Sequence, residues 1–360
     1  IVHKPEFVNQ AAIIGTSFGG LTDSVRLDDQ VLYFKPGLAH FLEHQLFESE
    51  IGNIMGDFTD LGANVNAFTS HHETAYYFST TNDLKQPLNL LLDLVSKATI
   101  TDDSVEKEKG IIIQELNMYD QMPESVLIKE TFKNLYQHHP LIHDIGGSIE
   151  SVTLTSKDDL MQAYDLFYHP SNMQLVIVTH HPINDVIEWI DEHEFSQRIS
   201  SKPNTHHDFL LDGVDHLPRR HIINMDVSQN KLTIGIRVTP CSINKKDLLK
   251  QQWALKVLLE THFSEVNSEY QTWMDQGVIN ELFDYDVDVK QDYGHVLFLL
   301  EDIHVDDASK FIHHQITKIT PSEQILTQLK RRYFFSNLRI FNRPTSLMTQ
   351  LLHYQLDGIN

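Results

Sequence analysis

His40-Phe-Leu-Glu-His44 places two imidazoles four residues apart, with a carboxylate directly before the second. If this stretch is helical, His40 and His44 lie one above the other on one face and can share one metal ion. Glu43 then lies beside that face, where its carboxylate can act on a water molecule. Apolar residues flank the motif on both sides, which predicts a packed helix over residues 37–48.

The chain is rich in histidine, with 22 among 360 residues, so the spacing also fits a helix that carries surface histidines. Adjacent pairs such as His138 and His139 are predicted at the surface, because neighbouring side chains diverge. A metal site needs a third ligand, and Glu108 and Glu115 lie on a predicted helix over residues 104–120. They are two helical turns apart and face the same way. By themselves, these residues also fit a solvated acidic face.

Three sequence blocks extend the motif. They are Gly37-Leu-Ala-His-Phe-Leu-Glu-His44, Gly62-Ala-Asn-Val-Asn-Ala-Phe-Thr-Ser70 and Glu106-Lys-Glu-Lys-Gly-Ile-Ile-Ile-Gln-Glu115. Their order resembles that of the pitrilysin, insulysin and mitochondrial-processing-peptidase family of inverzincin metallopeptidases. Over residues 30–180 the chain resembles this family, and within it the YmfH-like bacterial members.

The resemblance implies that His40, His44 and Glu115 bind one zinc ion per chain and that Glu43 is the general base. It gives Glu108 a supporting catalytic role, as a carboxylate behind the ligands. The implied activity is that of a zinc-dependent endopeptidase acting on peptides or small unfolded proteins. Zinc held by two imidazoles and one carboxylate keeps positive charge, which activates a bound water and polarises a carbonyl. The base would then pass the proton of that water to the leaving amine.

Residues 64–69 and 74–80 are predicted to be two strands of a hairpin. The family resemblance implies that the first strand is an exposed edge that pairs with extended substrate. Asn66, Ala67 and Phe68 are therefore the predicted substrate contacts. Main-chain pairing carries little side-chain information, which favours tolerance of many sequences. By themselves, the residues also fit an ordinary hairpin.

The mixture of strands and helices predicts an α+β fold of two similar domains, each a mostly antiparallel sheet covered by helices. A metal-binding catalytic domain is predicted over residues 1–195, and a second homologous domain without the metal motif over residues 218–360. The segment between them, residues 196–217, is polar and lacks periodicity, so it is the predicted linker.

Composition narrows the function classes. Hydrophobic residues make up 41% of the chain and charged residues 22%, as in folded proteins. The formal net charge of -22 argues against nucleic acid and anionic membranes as partners. No apolar run reaches the roughly 18 residues that span a bilayer, so no membrane insertion is expected. Cys241 is the only cysteine, which favours a reducing compartment and a cytoplasmic location.

The second half is predicted to be structural or substrate-enclosing. Members of the family commonly place an Arg and a Tyr, seven residues apart, in a domain without metal, whereas Gln271 and Val278 align with those positions here. A homologous partner subunit, or a homodimer, is therefore expected. Alternative functions are an inactive structural or assembly subunit and a peptide-binding subunit that retains the fold. The intact Glu43 argues against an inactive subunit, because a protein without chemistry needs no base.

Overall fold

The computed structural model describes residues 1–27, 30–48, 54–197, 205–206, 220–302, 304–320 and 322–359. The strands are β1 (Val2–His3), β2 (Gln10–Thr16), β3 (Ser24–Leu27), β4 (Gln30–Tyr33), β5 (Ala63–Thr69), β6 (Thr74–Thr80), β7 (Met173–Thr179), β8 (Thr205–His206), β9 (Lys231–Arg237), β10 (Asp284–Val289) and β11 (Gly294–Glu301). The helices are α1 (Leu38–Phe47), α2 (Ile54–Asp60), α3 (Lys85–Ser96), α4 (Asp102–Tyr119), α5 (Pro123–Leu135), α6 (Ile149–Leu154), α7 (Lys157–Phe167), α8 (Ile183–Glu192), α9 (Lys245–His262), α10 (Tyr270–Asp275), α11 (Val305–Ile316), α12 (Glu323–Ile340) and α13 (Pro344–Leu356). Among these helices, none is both long and apolar enough to cross a membrane.

The chain divides into two compact units. Unit 1 comprises Ile1–Asn117, His143–Asp208 and Arg339–Asn360, and unit 2 comprises Met118–Ile142 and Phe209–Leu338. Each unit has a sheet whose pairings are mostly or wholly antiparallel, together with helices. The predicted α+β class is confirmed.

The predicted domain boundaries stay a prediction. Of the predicted linker, 196–217, only residues 196–197 and 205–206 belong to the described residues. The contacts also group two helices differently from the predicted boundaries, since α5 belongs to unit 2 and α13 to unit 1. The reason is packing, because α5 lies against β9 and α13 lies against β2 and β7.

The sheet of unit 1 has the order β1-β7-β2-β6-β5, and only the β1–β7 pair is parallel. Every residue of β2 is buried. Side chains alternate along the strand, so Ala12 and Ile14 join one hydrophobic cluster while Ala11 and Ile13 join another. Helix α13 contributes to the second cluster, and both faces of this strand are therefore covered.

A glycine allows a helix to approach a strand closely in each unit. In unit 1, a Cβ atom on Gly15 of β2 would lie 2.9 Å from Cδ2 of Leu352 in α13. In unit 2, a Cβ atom on Gly235 of β9 would lie 2.7 Å from Cδ1 of Leu135 in α5. A larger residue at either glycine would push the helix away from the strand. Both units therefore depend on a glycine for this close packing.

Unit 2 has a three-stranded sheet in the order β10-β11-β9. The surface prediction for His139 is wrong, because this side chain is buried. Its Nε2 lies 3.1 Å from Oδ2 of Asp292, and its Nδ1 accepts a hydrogen bond from the Leu141 backbone. A buried imidazole is stable inside a protein when both of its nitrogens are hydrogen-bonded. Two adjacent histidines in a sequence do not indicate whether such partners are present. His138 is exposed, as predicted.

The turn before α1 depends on a glycine. Gly37 has φ = 88°, a left-handed conformation that disfavours side chains. A Cβ atom there would lie 2.4 Å from the carbonyl oxygen of Gly146. The start of α1 and the loop at Gly146 can meet only because this position lacks a side chain.

We predict that Gly37→Ala destabilises the protein by about 2–4 kcal/mol, since it combines a left-handed backbone with a collision against main chain. Gly277→Ala is the matched control. Gly277 also has a positive φ, 67°, but nothing lies within 4 Å of its would-be Cβ. It should lose only about 1 kcal/mol. Urea unfolding followed by circular dichroism measures both, and equal losses would contradict the packing argument.

Candidate metal centre

Helix α1 carries both histidines on its less buried face. Its buried residues are Leu38, Ala39, Phe41, Leu42, Gln45 and Leu46. His40, Glu43 and His44 occupy the remaining face and are half-buried. The predicted helix over residues 37–48 is confirmed, and apolar packing holds its polar residues at the border of the core.

Three predicted ligands converge. The ring centroids of His40 and His44 are 4.6 Å apart. Oε2 of Glu115 lies 3.7 Å from Nε2 of His40 and 3.6 Å from Nε2 of His44. One nitrogen or oxygen atom from each residue lies within 4.8 Å of the others. Within the described ranges, this is the group of histidine, cysteine or carboxylate side chains that could hold a metal ion.

The donor set fits a catalytic zinc ion. Two imidazoles and one carboxylate form one of the combinations that bind catalytic zinc and leave a fourth position open. Burial, with the charge of His44 as a smaller cause, lowers the pKa of His40 from 6.5 to about 4. His40 is therefore neutral near pH 7, which is the form of histidine that binds metals.

Glu108 orients the second histidine. This carboxylate is buried, and its Oε2 lies 3.1 Å from Nδ1 of His44. A proton on Nδ1 leaves Nε2, on the Glu115 side, with its lone pair. Burial alone would lower the pKa of His44, but the Glu108 hydrogen bond and three nearby carboxylates together raise it. His40 has no such support, since its Nδ1 is buried without a hydrogen-bond partner among the described residues.

A buried amide sets the register between α1 and α4. Nε2 of Gln45 donates to the carbonyl oxygen of Ser104 at 3.1 Å, and Oγ of Ser104 donates to Oε1 of Gln45 at 2.8 Å. Farther along α4, Glu108 meets His44. Glu115, two turns beyond Glu108, lies beside His40, which is one turn before His44. The two helices therefore run in opposite directions at the site.

The predicted base has a defined environment. Oγ1 of Thr69 donates a hydrogen bond to Oε2 of Glu43 at 2.6 Å. Burial raises the pKa of Glu43, and the Thr69 hydrogen bond is the largest opposing cause. A carboxylate with a raised pKa accepts protons more readily near neutral pH, as general base catalysis requires.

The predicted substrate contacts lie on β5, at one edge of the five-stranded sheet. Asn66, Ala67 and Phe68 pair with Tyr77, Tyr76 and Ala75 of β6. The other side of β5 pairs with no strand among the described residues. Ala67 packs against the cluster that contains α1 residues, and Phe68 packs on the opposite face near α13.

Sequence reasoning missed the hydroxyl groups around the base. Thr69 and Thr74 lie opposite each other at the end of the β5–β6 hairpin. The hydroxyls of Tyr76 and Tyr168 lie 3.0 Å apart in the core. Burial raises the pKa of both phenols, and the charge of Glu43 adds to the effect. Of these four residues only Thr69 lies in a motif block, and spacing does not reveal which side chains meet.

Gln271 and Val278 lie in unit 2, at the positions where members of the family commonly have an Arg and a Tyr. Gln271 is exposed on α10, and its Nε2 donates to Oδ1 of Asp275 at 2.9 Å. Val278 is partly buried and packs against the hydrophobic core of that unit. Neither side chain offers a cation or a phenol.

Two family profiles match the chain. The profile described as Insulinase (Peptidase family M16) matches residues 34–148, which include every predicted site residue. The profile described as Peptidase M16 inactive domain matches residues 155–332.

Relatives extend the match to both units. The protein named uncharacterized zinc protease YmfH of Bacillus subtilis is 31% identical, over 98% of this chain and 84% of its own length. The crystal structure of an M16-like peptidase from Alicyclobacillus acidocaldarius has a TM-score of 0.92 at 28% identity, covering 99% of this chain and 85% of that chain. A Schizosaccharomyces pombe protein named probable mitochondrial-processing peptidase subunit beta is 27% identical, over 44% of this chain and 34% of its own length.

Proposed function

Because the chain belongs to the insulinase family of peptidases, family M16, we propose that it is a zinc metalloendopeptidase acting on peptides or small unfolded proteins. The observation that carries this proposal is the convergence of His40, His44 and Glu115. Glu43 lies on the same helix as the two histidines, as a base for water-mediated hydrolysis should. The name of the relative YmfH, a zinc protease, supports the choice of metal.

In this mechanism, His40, His44 and Glu115 would hold the metal. When bound, zinc would supply a Lewis acid for the scissile carbonyl. Glu43 accepts a proton from the attacking water and delivers it to the leaving amine. Glu108 fixes the proton on Nδ1 of His44, so that Nε2 on the Glu115 side keeps its lone pair and would be free to bind the metal. The chain forms no covalent intermediate with its substrate.

Substrate binding is assigned to the edge of β5. An extended peptide can add as a further strand and use the main chain at Asn66, Ala67 and Phe68. Such pairing is independent of most side chains, which suits a peptidase that acts on varied unfolded segments. Two observations support this assignment: no described strand pairs with the outer side of β5, and the last residue of β5, Thr69, contacts Glu43.

A non-catalytic function is the second candidate. The profile over residues 155–332 is described as an inactive domain, and a structural or peptide-binding subunit would retain the fold without turnover. The ligand set and Glu43 lie outside those residues, in the part that matches the peptidase profile. A subunit without chemistry would have no use for a base, so catalysis is favoured.

A homologous partner subunit or a homodimer is part of the proposal. One relative is named as a subunit of a processing peptidase. Gln271 and Val278 cannot supply the positive charge and phenol expected on the far side of a bound peptide. A second chain that carries such groups would complete the site.

We expect one zinc ion per chain. His44→Ala should abolish stoichiometric zinc, since two ligands remain, and Glu108→Ala should weaken zinc binding about 10- to 100-fold. His313→Ala, an exposed position on α11, is the matched control and should bind zinc normally. Plasma mass spectrometry after dialysis and a chromophoric chelator measure content and affinity. The site would be refuted if the unaltered protein, prepared with excess zinc, contained no stoichiometric zinc. Full zinc content in His44→Ala would refute it as well.

Glu43→Gln should retain zinc and lose peptidase activity by about 10²- to 10⁴-fold, because the amide preserves shape but cannot accept the proton. Glu106→Gln is the control, since Glu106 is exposed on α4 and pairs with Lys109. Cleavage of a mixed-peptide substrate, followed by mass spectrometry, gives the rates. Turnover in Glu43→Gln equal to that of the unaltered protein would mean that the base is elsewhere.

The isolated chain should be weakly active and should gain activity with a homologous partner. Strand pairing orients the peptide, but Gln271 and Val278 offer neither a cation nor a phenol to a developing oxyanion. Specific activity of the chain alone, compared with the chain and its co-purifying partner, measures the effect. Equal values would assign the missing donors to this chain itself.

A further inference from the structure

The carboxylate of Glu43 is held from one side by a hydroxyl group. The 2.6 Å separation of Thr69 Oγ1 and Glu43 Oε2 lies in the range of hydrogen bonds from hydroxyls to ionised carboxylates. Within the described ranges, Glu43 pairs with no lysine or arginine. Thr69 therefore supplies the directional contact that a cation supplies to many other carboxylates.

The direction of the Thr69 hydroxyl is set by its neighbours. Thr74 is buried and donates its own hydrogen to the carbonyl oxygen of Phe18 at 2.8 Å. Its oxygen lies 3.3 Å from Oγ1 of Thr69 and thus competes as an acceptor. The Glu43 oxygen is nearer and charged, and such bonds are about twice as strong as neutral ones, so the Thr69 hydrogen goes to Glu43.

The backbone also limits where this hydroxyl can point. Thr69 is the last residue of β5, paired with Thr74 of β6. Threonine branches at Cβ, which restricts its χ1 angle. The hydroxyl is therefore fixed by the strand, while the carboxylate that it contacts belongs to α1.

We propose that Thr69 is a positioning residue for the proposed peptidase reaction, on which this inference rests. Its hydroxyl engages Oε2 of Glu43, so that Oε1 is the oxygen that takes up and releases the proton. Because Thr69 belongs to the strand assigned to substrate pairing, a peptide bound along β5 stabilises the element that orients the base.

Kinetics separate positioning from mere packing. Thr69→Val keeps the shape and removes the hydroxyl, and Thr69→Ser keeps the hydroxyl. Thr80→Val is the matched control, because Thr80 is buried at the end of β6 and its hydroxyl donates to the Gly62 carbonyl oxygen at 3.1 Å. All variants should bind one zinc ion, as the unaltered protein should.

In Thr69→Val we expect kcat to fall about 10- to 100-fold with KM changed less than about twofold, since the base remains but samples unproductive orientations. Thr69→Ser should restore kcat to within about threefold, and Thr80→Val should match the unaltered protein. An unchanged kcat in Thr69→Val, equal losses in Thr69→Val and Thr80→Val, or no rescue by serine would overturn the inference.

A structural measurement tests the inference without activity. In crystals of metal-free Thr69→Val, the Glu43 carboxylate should turn away from the strand or occupy two rotamers, whereas Thr80→Val should leave it in place. An inactive unaltered protein would refute the proposed function and leave this measurement decisive. If the Glu43 carboxylate stayed in place in Thr69→Val, the inference about Thr69 would be refuted but the proposed function would not.

Discussion

The register between α1 and α4 is the constraint on which the candidate site depends. Gln45 and Ser104 satisfy each other in a buried environment, and an unpaired buried amide would cost about 1–3 kcal/mol. A slip of one helical turn, about 5.4 Å, would break that pair and separate His44 from Glu108. It would also carry Glu115 away from both imidazoles. The packing of α1 against α4 therefore brings the three candidate ligands together.

The helices of the site are predictable because their signals are local. The sequence predicts α1 and α4 over residues 37–48 and 104–120, close to their observed bounds. Periodicity determines which face of a helix is apolar, but not the partner that covers it. The packing of α13 on β2 depends on the fit of Leu352 against Gly15, which are remote in sequence. Thr69 and Glu43 also lie far apart in sequence, and no sequence pattern indicates that they make contact.

Unit 2 contains a contact between two helices in which a buried carboxylate meets a hydroxyl and a cation. Helix α9 carries a buried glutamate, Glu260. The hydroxyl of Tyr333 donates to this carboxylate, and Arg332 pairs with it; both residues are on α12. A buried carboxylate that already has a cation and a hydroxyl needs no ion. Among the described residues, the candidate metal ligands all lie in unit 1, so the proposed chemistry is assigned to that unit.

The ligands and the orientation of the base come from different elements in the proposed mechanism. Two ligands and Glu43 lie on α1, a helix fixed by its core, whereas the hydroxyl that directs Glu43 lies on β5, an edge strand. An edge strand has unpaired main-chain groups, and an added strand satisfies them. Main-chain binding of a peptide along β5 can therefore favour the productive orientation of Glu43 without reading the side chains of the substrate. Binding energy from groups that do not react then contributes to the chemical step, which is compatible with broad peptide selectivity.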